Sequence, residues 1–263
     1  MPTLTKLHTT KHGGLGWKRD EPLHIDIRDR MYQMEVAYEQ LPSSVDLRDK
    51  CPPVYDQGQL GSCTANAIAG ALEFDMMKQG EQVFTPSRLL IYLEERIKEG
   101  DPDQDNGAYI RDGIYCVAHQ GVCPETEWPY DVNKYAEMPP EQCFTDALKF
   151  KALTYQKLRA YSLVQMKSCL ASGNVFVFGF TVYESFESQQ VADTGIVPMP
   201  VRGERILGGH AVCAVGFDDS KKWVICRNSW GSAWGDQGAF MLPYSYMTHA
   251  GLTSDLWTIR TVS

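Results

Sequence analysis

The spacing of the apolar residues changes near Ser172 of this 263-residue chain, and this change restricts the folds that the chain can adopt. Over residues 63–74 the apolar side chains recur three and four positions apart, which predicts a helix that ends at Gly80. A second helix is predicted over residues 85–100, where a capping residue precedes a proline, and a third over residues 110–119. The first half of the chain is therefore expected to be mainly helical.

The second half has the pattern of a β-sheet. Residues 175–180 form an apolar run rich in β-branched and aromatic side chains, which predicts a strand buried on both faces. Two further runs, 210–217 and 223–227, flank the polar segment 218–222 and predict an antiparallel hairpin. Residues 125–142, with their prolines and acidic residues, are expected to form a long surface loop. Helices followed by strands predict an α+β fold with two packed lobes.

Composition excludes several classes of protein. The 33 acidic and 25 basic side chains give a net charge of −8, which argues against a partner that is a nucleic acid. No apolar run is long enough for a membrane span, and the first twenty residues lack the apolar core of a secretory signal. We therefore expect a soluble protein without a membrane partner, and a cytoplasmic location is favoured over export. No motif indicates a cofactor.

The eight cysteines do not form a recognisable metal or redox motif. No pair has CxxC spacing, which argues against a zinc ribbon and a thioredoxin-like site. His210 and Cys213 have HxxC spacing, but the alternation around them is that of a strand, so no metal site is predicted. The redox state of the cysteines stays open, with the reduced form favoured.

Cys63 is the cysteine whose position favours reactivity. It follows Gly61 and Ser62 at the first turn of the first predicted helix. Unpaired backbone N–H groups and the positive end of the helix dipole stabilise a thiolate at such a position, and the thiolate is the reactive form. The alternative is a buried thiol that only packs.

The predicted hairpin indicates a candidate acid/base group, the imidazole of His210. If its turn is centred on residue 219, His210 and Asn228 each lie nine residues from the centre and face each other on adjacent strands. An amide beside an imidazole can fix the orientation and the tautomer that an acid/base histidine needs. The alternative is that His210 and Asn228 each have only a structural role.

Three motifs, in order along the chain, resemble those of the papain-like cysteine peptidases. Residues 57–63 (QGQLGSC) resemble the nucleophile motif, residues 208–212 (GGHAV) the histidine motif, and residues 228–238 (NSWGSAWGDQG) the asparagine motif. Residues 41–48 also resemble the start of a mature papain-type enzyme. The resemblance covers residues 41 to about 245 and implies a papain-like two-lobed fold with a cleft between a helical and a β lobe.

The resemblance also implies the role of each residue. Cys63 would be the nucleophile, His210 its base, and Asn228 the residue that orients His210. Trp230 would shield the bond between His210 and Asn228 from water. Gln57 would donate its side-chain N–H to the oxyanion beside the backbone N–H of Cys63. The substrate would be a peptide or a protein.

The substrate-binding residues are less well defined by the motifs. Asn106, Gly107, Gly209 and Trp230 are expected to contact substrate, although the segment from Asn106 matches the glycine-rich substrate strip of the family only in part. A polar turn without a role in binding is the alternative for that segment. Leu60 stands where many secreted members have a disulfide cysteine, so the disulfides of the family cannot be transferred to this chain.

The resemblance divides the chain into two parts. Residues 41–263 are expected to form the catalytic domain, with a mainly helical lobe over about 57–165 and a mainly β lobe over about 166–263. Residues 1–40 would be an N-terminal arm or a short prosegment that inhibits the enzyme; an arm that only clamps the lobes together is the alternative. Two other functions stay open, namely acyl transfer by the same chemistry and a catalytically silent peptide-binding module.

Overall fold

The computed structural model describes residues 10–21 and 31–261, so residues 1–9 and 22–30 of the predicted arm lie outside the described part. Seven α-helices are present there: α1 Cys63–Gln79, α2 Arg88–Glu99, α3 Ile110–His119, α4 Glu141–Ala147, α5 Leu163–Ala171, α6 Gln189–Thr194 and α7 Tyr244–Met247. The strands are β1 Trp17–Lys18, β2 Ser44–Asp46, β3 Ala108–Tyr109, β4 Ala152–Lys157, β5 Phe176–Tyr183, β6 Ile206–Asp218, β7 Trp223–Arg227, β8 Ala239–Pro243 and β9 Thr253–Thr261. In the described part of the chain, no helix has both the length and the apolar character needed to cross a membrane.

The long helix α1 occupies the centre of the molecule. It is buried from Cys63 to Met76 because it packs against α2 and α3 on one side and against β6 and β9 on the other. Gly80 ends it in the left-handed conformation, with a φ of 69°, and donates its N–H to the last turn. The predicted first helix is therefore confirmed, and its burial on all sides explains why small residues such as Ala65 and Ala69 line it.

The second helix begins later than the sequence predicts. Pro86 forms a β-bridge with Pro124, and Ser87 caps the helix by accepting a hydrogen bond from the Leu90 N–H at 3.3 Å. The predicted start at residue 85 was therefore wrong, because the serine two positions later provides the cap. The third helix has the predicted bounds. The predicted loop 125–142 contains one short 3-10 helix, Val132–Lys134, and its last two residues already belong to α4.

The second half of the chain forms one antiparallel sheet, in the order β4-β9-β5-β6-β7-β8 with β2 paired to β6. Strand β5 is central, and its residues 176–180 are buried on both faces, as predicted. A separate pair joins β1 of the arm to β3 of the helical lobe in parallel. The arm is thus part of the folded structure where it is described.

The predicted hairpin of β6 and β7 forms with a different register. Asp218 pairs with Trp223, so the turn is centred between residues 220 and 221 and not on residue 219. The register shifts again between Ala214 and Gly216, where the pairing is irregular. The predicted centre was wrong because sequence spacing alone does not reveal a four-residue loop or a bulge.

Candidate active site

Cys63 is the first residue of α1 and lies at the bottom of the cleft between the helices and the sheet. Its side chain is fully buried, and its Sγ accepts a hydrogen bond from the Ala211 N–H at 3.4 Å. Burial raises the pKa of the thiol to about 12, although backbone N–H groups of Ala211 and Gly16 oppose the shift. Burial at this position therefore favours the protonated thiol over the thiolate.

His210 lies on β6, directly before the residue that contacts Cys63. Its Nε2–H donates to Asn228 Oδ1 at 2.8 Å, which fixes the ring and leaves Nδ1 free of hydrogen bonds to the described residues. Trp230 stacks on the imidazole, with ring centroids 4.9 Å apart and an interplanar angle of 28°. Burial lowers the pKa of His210 to about 4, and the bond to Asn228 opposes this shift.

Asn228 follows the last residue of β7 and reaches His210 despite the shifted register. Its Oδ1 also accepts the Ser229 N–H at 2.9 Å, so the amide is held by two donors. Both residues are buried together with Trp230. The structure thus brings together the imidazole, the amide and the indole that the motifs predicted.

Gln57 enters the site from the loop before α1. Its side chain is fully buried, and its Oε1 accepts a hydrogen bond from Ser229 Oγ at 2.5 Å. Its Nε2 donates to Leu60 O at 2.9 Å and to Gly14 O at 3.0 Å. The amide N–H that the motif assigns to an oxyanion therefore already binds a peptide carbonyl, which belongs to the N-terminal arm.

The arm runs through the cleft as a glycine-rich segment, residues 13–17. A Cβ added at Gly13 would come within 2.2 Å of the Trp230 ring, and one at Gly16 within 1.8 Å of Gly61 O. The Gly16 carbonyl accepts the Ala108 N–H at 2.8 Å, the first bond of the β1–β3 pair. At Gly13 and Gly16, only a residue without a side chain fits this close to Trp230 and to the loop 57–63 before α1.

Trp17 fills a pocket beside Gly209, the neighbour of His210 in the chain. A Cβ added at Gly179 would come within 2.0 Å of the Trp17 indole, and one at Gly209 within 2.7 Å of it, so the missing side chains of these glycines make room for the indole. The indole Nε1–H donates to Asp255 Oδ2 at 3.2 Å. Sequence reasoning missed Trp17 and Asp255; the run Gly-Gly-Leu-Gly-Trp at 13–17 was the available signal.

Charged contacts join the arm to the helices and to the large sheet. Asp20 pairs with Arg111 of α3 at 3.2 Å and with Lys157 of β4 at 3.4 Å, while Lys18 pairs with Glu99 of α2 at 2.6 Å. Arg111 lies on helix α3, whereas Lys157 lies on β4 of the large sheet, inside the range 57–165 that the sequence assigned to the helical lobe. Asp20 therefore bridges a helix and the sheet. The arm therefore both occupies the cleft and connects its walls.

The predicted substrate-binding residues lie along the same channel. Gly107 has a φ of 70°, and a Cβ there would come within 1.8 Å of Gly16 O. Gly209 and Trp230 contact the arm in the same way, at Trp17 and Gly13. Asn106 is partly exposed beside them. A chain of extended peptide thus contacts three of the four predicted residues.

Among the described residues, one group has the spacing of metal ligands. The ligand atoms of Cys123, Glu127 and Cys143 lie within 4.8 Å of one another. This group shares no residue with the cleft. The cleft contains a thiol, an imidazole oriented by an amide, and a second amide that can donate to an oxyanion, which are the groups that nucleophilic catalysis by cysteine uses.

Comparisons with known proteins agree with this geometry. The family model "Papain family cysteine protease" matches residues 41–258. An uncharacterized peptidase C1-like protein of Acanthamoeba polyphaga mimivirus is 46% identical over 216 residues, which cover 79% of this chain and 70% of that protein. The chain spans 62% of the length of each of the next two curated relatives.

Solved structures extend the similarity to the whole chain. Xylellain, a cysteine protease from Xylella fastidiosa, matches with a TM-score of 0.89 and 39% identity over 99% of both chains. Digestive procathepsin L 3 of Tenebrio molitor matches with a TM-score of 0.69 over 89% of this chain and 75% of that one; at 18% identity it shows the fold alone. The predicted α+β fold is confirmed, and the chain belongs to the papain family of cysteine proteases.

Proposed function

We propose that this cysteine peptidase uses Cys63 as its nucleophile and His210 as its acid/base group. The observation that carries the proposal is the 2.8 Å bond that orients His210 toward Asn228, while the next residue of the strand, Ala211, donates its N–H to the Cys63 sulfur at 3.4 Å. His210 Nδ1, which has no hydrogen-bond partner among the described residues, is the nitrogen available to take the thiol proton.

The reaction then follows in two steps. The Cys63 sulfur attacks the peptide carbonyl, the C–N bond breaks, and the amine leaves with the proton that His210 received from the thiol. His210 next deprotonates a water molecule, which attacks the thioester carbonyl and releases the acid and the Cys63 thiol. Gln57 Nε2–H stabilises the negative oxygen in both steps.

The second part of the proposal is that the N-terminal arm holds the enzyme latent. The Gly14 carbonyl uses the Gln57 donor, the Gly16 carbonyl uses the Ala108 N–H, and Trp17 fills the adjoining pocket. Burial under the arm also favours a neutral thiol and a neutral imidazole, since the pKa of Cys63 is raised and that of His210 lowered. A substrate must displace the arm before the thiolate–imidazolium pair can form.

The arm indicates what the cleft accepts. Gly107, Ala108 and Gly209 are proposed to bind the substrate backbone, since they contact the arm backbone through close approaches and the Ala108 N–H. The pocket of Trp17 is proposed to accept a large aromatic side chain. Asp255 at this pocket disfavours an acidic one by like-charge repulsion.

Covalent labelling tests both parts. The 263-residue protein and its variants Trp17→Ala, Cys63→Ala and His210→Ala are exposed briefly to a limiting epoxysuccinyl peptide near pH 6, followed by peptide mapping. Modification confined to Cys63, lost in His210→Ala and faster in Trp17→Ala, supports the assignments and the latency. Labelling spread over several cysteines, or absent from Trp17→Ala, would favour a silent peptide-binding module. The ratio of hydrolysis to aminolysis products separates peptidase from acyl transferase.

A further inference from the structure

Asp105 connects two segments of the site, the loop 57–63 before helix α1 and the segment 106–108, which is called the substrate strip below. Its carboxylate accepts the Gly61 N–H, at 3.0 Å to Oδ1 and 3.2 Å to Oδ2. Gly61 lies in the loop 57–63, which carries the Gln57 side chain and the Cys63 N–H, the two donors assigned to the oxyanion. Asp105 itself immediately precedes Asn106 and Gly107. One carboxylate therefore contacts the loop 57–63 from the segment that lines the substrate channel.

Tyr92 extends this contact to the strip itself. Its hydroxyl donates to Asp105 Oδ1 at 2.5 Å, and its oxygen accepts the Gly107 N–H at 3.2 Å. Burial, with the nearby Asp105 charge, raises the pKa of Tyr92 well above its usual value, so the hydroxyl keeps its proton and stays a donor. The fully buried Tyr92 is fixed on helix α2. The connection therefore runs from Gly107 through Tyr92 and Asp105 to Gly61.

The loop needs such support because its own structure is irregular. It has no helix or strand before Cys63, and Leu60 provides no thiol for a covalent tie. Tyr130 holds the other side of the loop, donating to Gln57 O at 3.0 Å and bonding Ser62 Oγ at 2.6 Å. Tyr130 does not contact the substrate strip through these bonds. Asp105 bonds to the loop at Gly61 and is connected to Gly107 through Tyr92, so it holds the loop relative to the strip.

We propose that Asp105 is a positioning residue for the peptidase reaction, with Tyr92 as its link to the substrate strip. It holds the Gly61 peptide so that both oxyanion donors face a carbonyl bound along Gly107 and Ala108. A charged acceptor makes a stronger hydrogen bond than a neutral one and holds the loop more firmly. The inference rests on the proposed roles of Cys63 and Gln57.

The test compares two reactions of the same cysteine. Asp105→Ala and Asp105→Asn are made in the 263-residue chain, both in the wild-type and in the Trp17→Ala background, with Asp103→Asn as a control at an exposed side chain. One readout is kcat and KM for a fluorogenic peptide amide, which needs the oxyanion donors. The other is the rate of Cys63 with 2,2′-dipyridyl disulfide, which needs the thiolate but no oxyanion.

The expected result is a selective loss. Asp105→Ala lowers kcat by about 10- to 100-fold, less than the loss for deleting a donor outright. Asp105→Asn, which keeps the shape, gives a smaller loss, and Tyr92→Phe raises KM. The rate at which Cys63 reacts with 2,2′-dipyridyl disulfide stays within about twofold of the Asp103→Asn rate in all of these variants.

Four outcomes overturn the inference. Asp105 variants with the kcat of Asp103→Asn would mean that the carboxylate does not position the loop. Equal losses in both reactions, or misfolding of Asp105→Asn as judged by thermal unfolding, would reduce Asp105 to a role in stability. If neither the wild type nor Trp17→Ala turns over the peptide, the proposed function is overturned, and this inference with it.

Discussion

Truncation of Trp17 is the sharpest test of how the arm controls the enzyme. Trp17 is only 7% exposed, and its indole lies in a pocket that Gly179 and Gly209 leave open. Replacement by alanine removes nearly all of that contact and the bond to Asp255, but it leaves the glycine segment that threads the cleft unchanged. The change therefore weakens docking of the arm without altering any proposed catalytic residue.

The size of the effect follows from the buried area. A tryptophan side chain buries about 150–250 Å², which at about 25 cal/mol per Å² corresponds to roughly 4–6 kcal/mol. Truncations of buried aromatic residues cost about 3–5 kcal/mol in practice. Because solvent enters the emptied pocket, we take about 3 kcal/mol as the loss of docking free energy. Each 1.4 kcal/mol is a factor of ten, so the open fraction rises by about 100-fold.

The assay is the second-order rate of Cys63 labelling by the epoxysuccinyl peptide, read by intact mass. We expect the rate for Trp17→Ala to exceed that of wild type by about 100-fold. The matched control is Tyr38→Ala, an aromatic truncation in the same N-terminal region at a side chain that is 65% exposed. A synthetic peptide of residues 10–20 added in trans should slow the variant again.

Equal labelling rates in the wild type, Trp17→Ala and Tyr38→Ala would refute the latency argument. Such a result would mean that the docked arm does not limit access to Cys63, and the role of the arm would then be to clamp the lobes. Thermal unfolding separates this outcome from misfolding, since a folded Trp17→Ala retains a cooperative transition.

Three further predictions concern other parts of the molecule. Gly16→Val should also open the cleft, because its Cβ would lie 1.8 Å from Gly61 O; labelling no faster than in wild type would contradict this. Gln57→Ala should lower kcat for a peptide amide by about 10²–10³-fold while the dipyridyl disulfide rate is retained, and equal losses would exclude an oxyanion role. Burial raises the pKa of Glu94 to about 8, so folding is favoured when this group is protonated and the wild type loses stability as pH rises from about 4.5 to 8. In urea unfolding at pH 8.5, the free energy of unfolding of Glu94→Gln should therefore exceed that of the wild type by about 2–4 kcal/mol, whereas the two should be equally stable at pH 4. A difference in stability that is the same at both pH values would exclude Glu94 as the cause.

The proposed catalytic residues could be predicted from the sequence because each lies in a local motif. Cys63 begins a helix whose spacing is regular, and His210 and Asn228 flank a polar turn between apolar strands. The position of that turn was wrong by between one and two residues, and the helix predicted from residue 85 begins at Arg88. Short-range patterns identify an element, whereas a bulge or a competing cap decides where it begins and how it pairs.

What the sequence by itself determined is therefore the order of helices and strands and the family motifs, from which Cys63, His210, Asn228 and Gln57 are predicted as the catalytic set. Periodicity and motif spacing depend only on neighbours in the chain. The tertiary structure alone decided that Trp17 fills the pocket of Asp255, 238 residues away, and that Gly14 binds Gln57. The sequence around Gly179 and Gly209 does not show why these positions need glycine; the reason is the packing of Trp17 against them. Contacts between distant segments are set by packing of the whole fold, which no local spacing encodes.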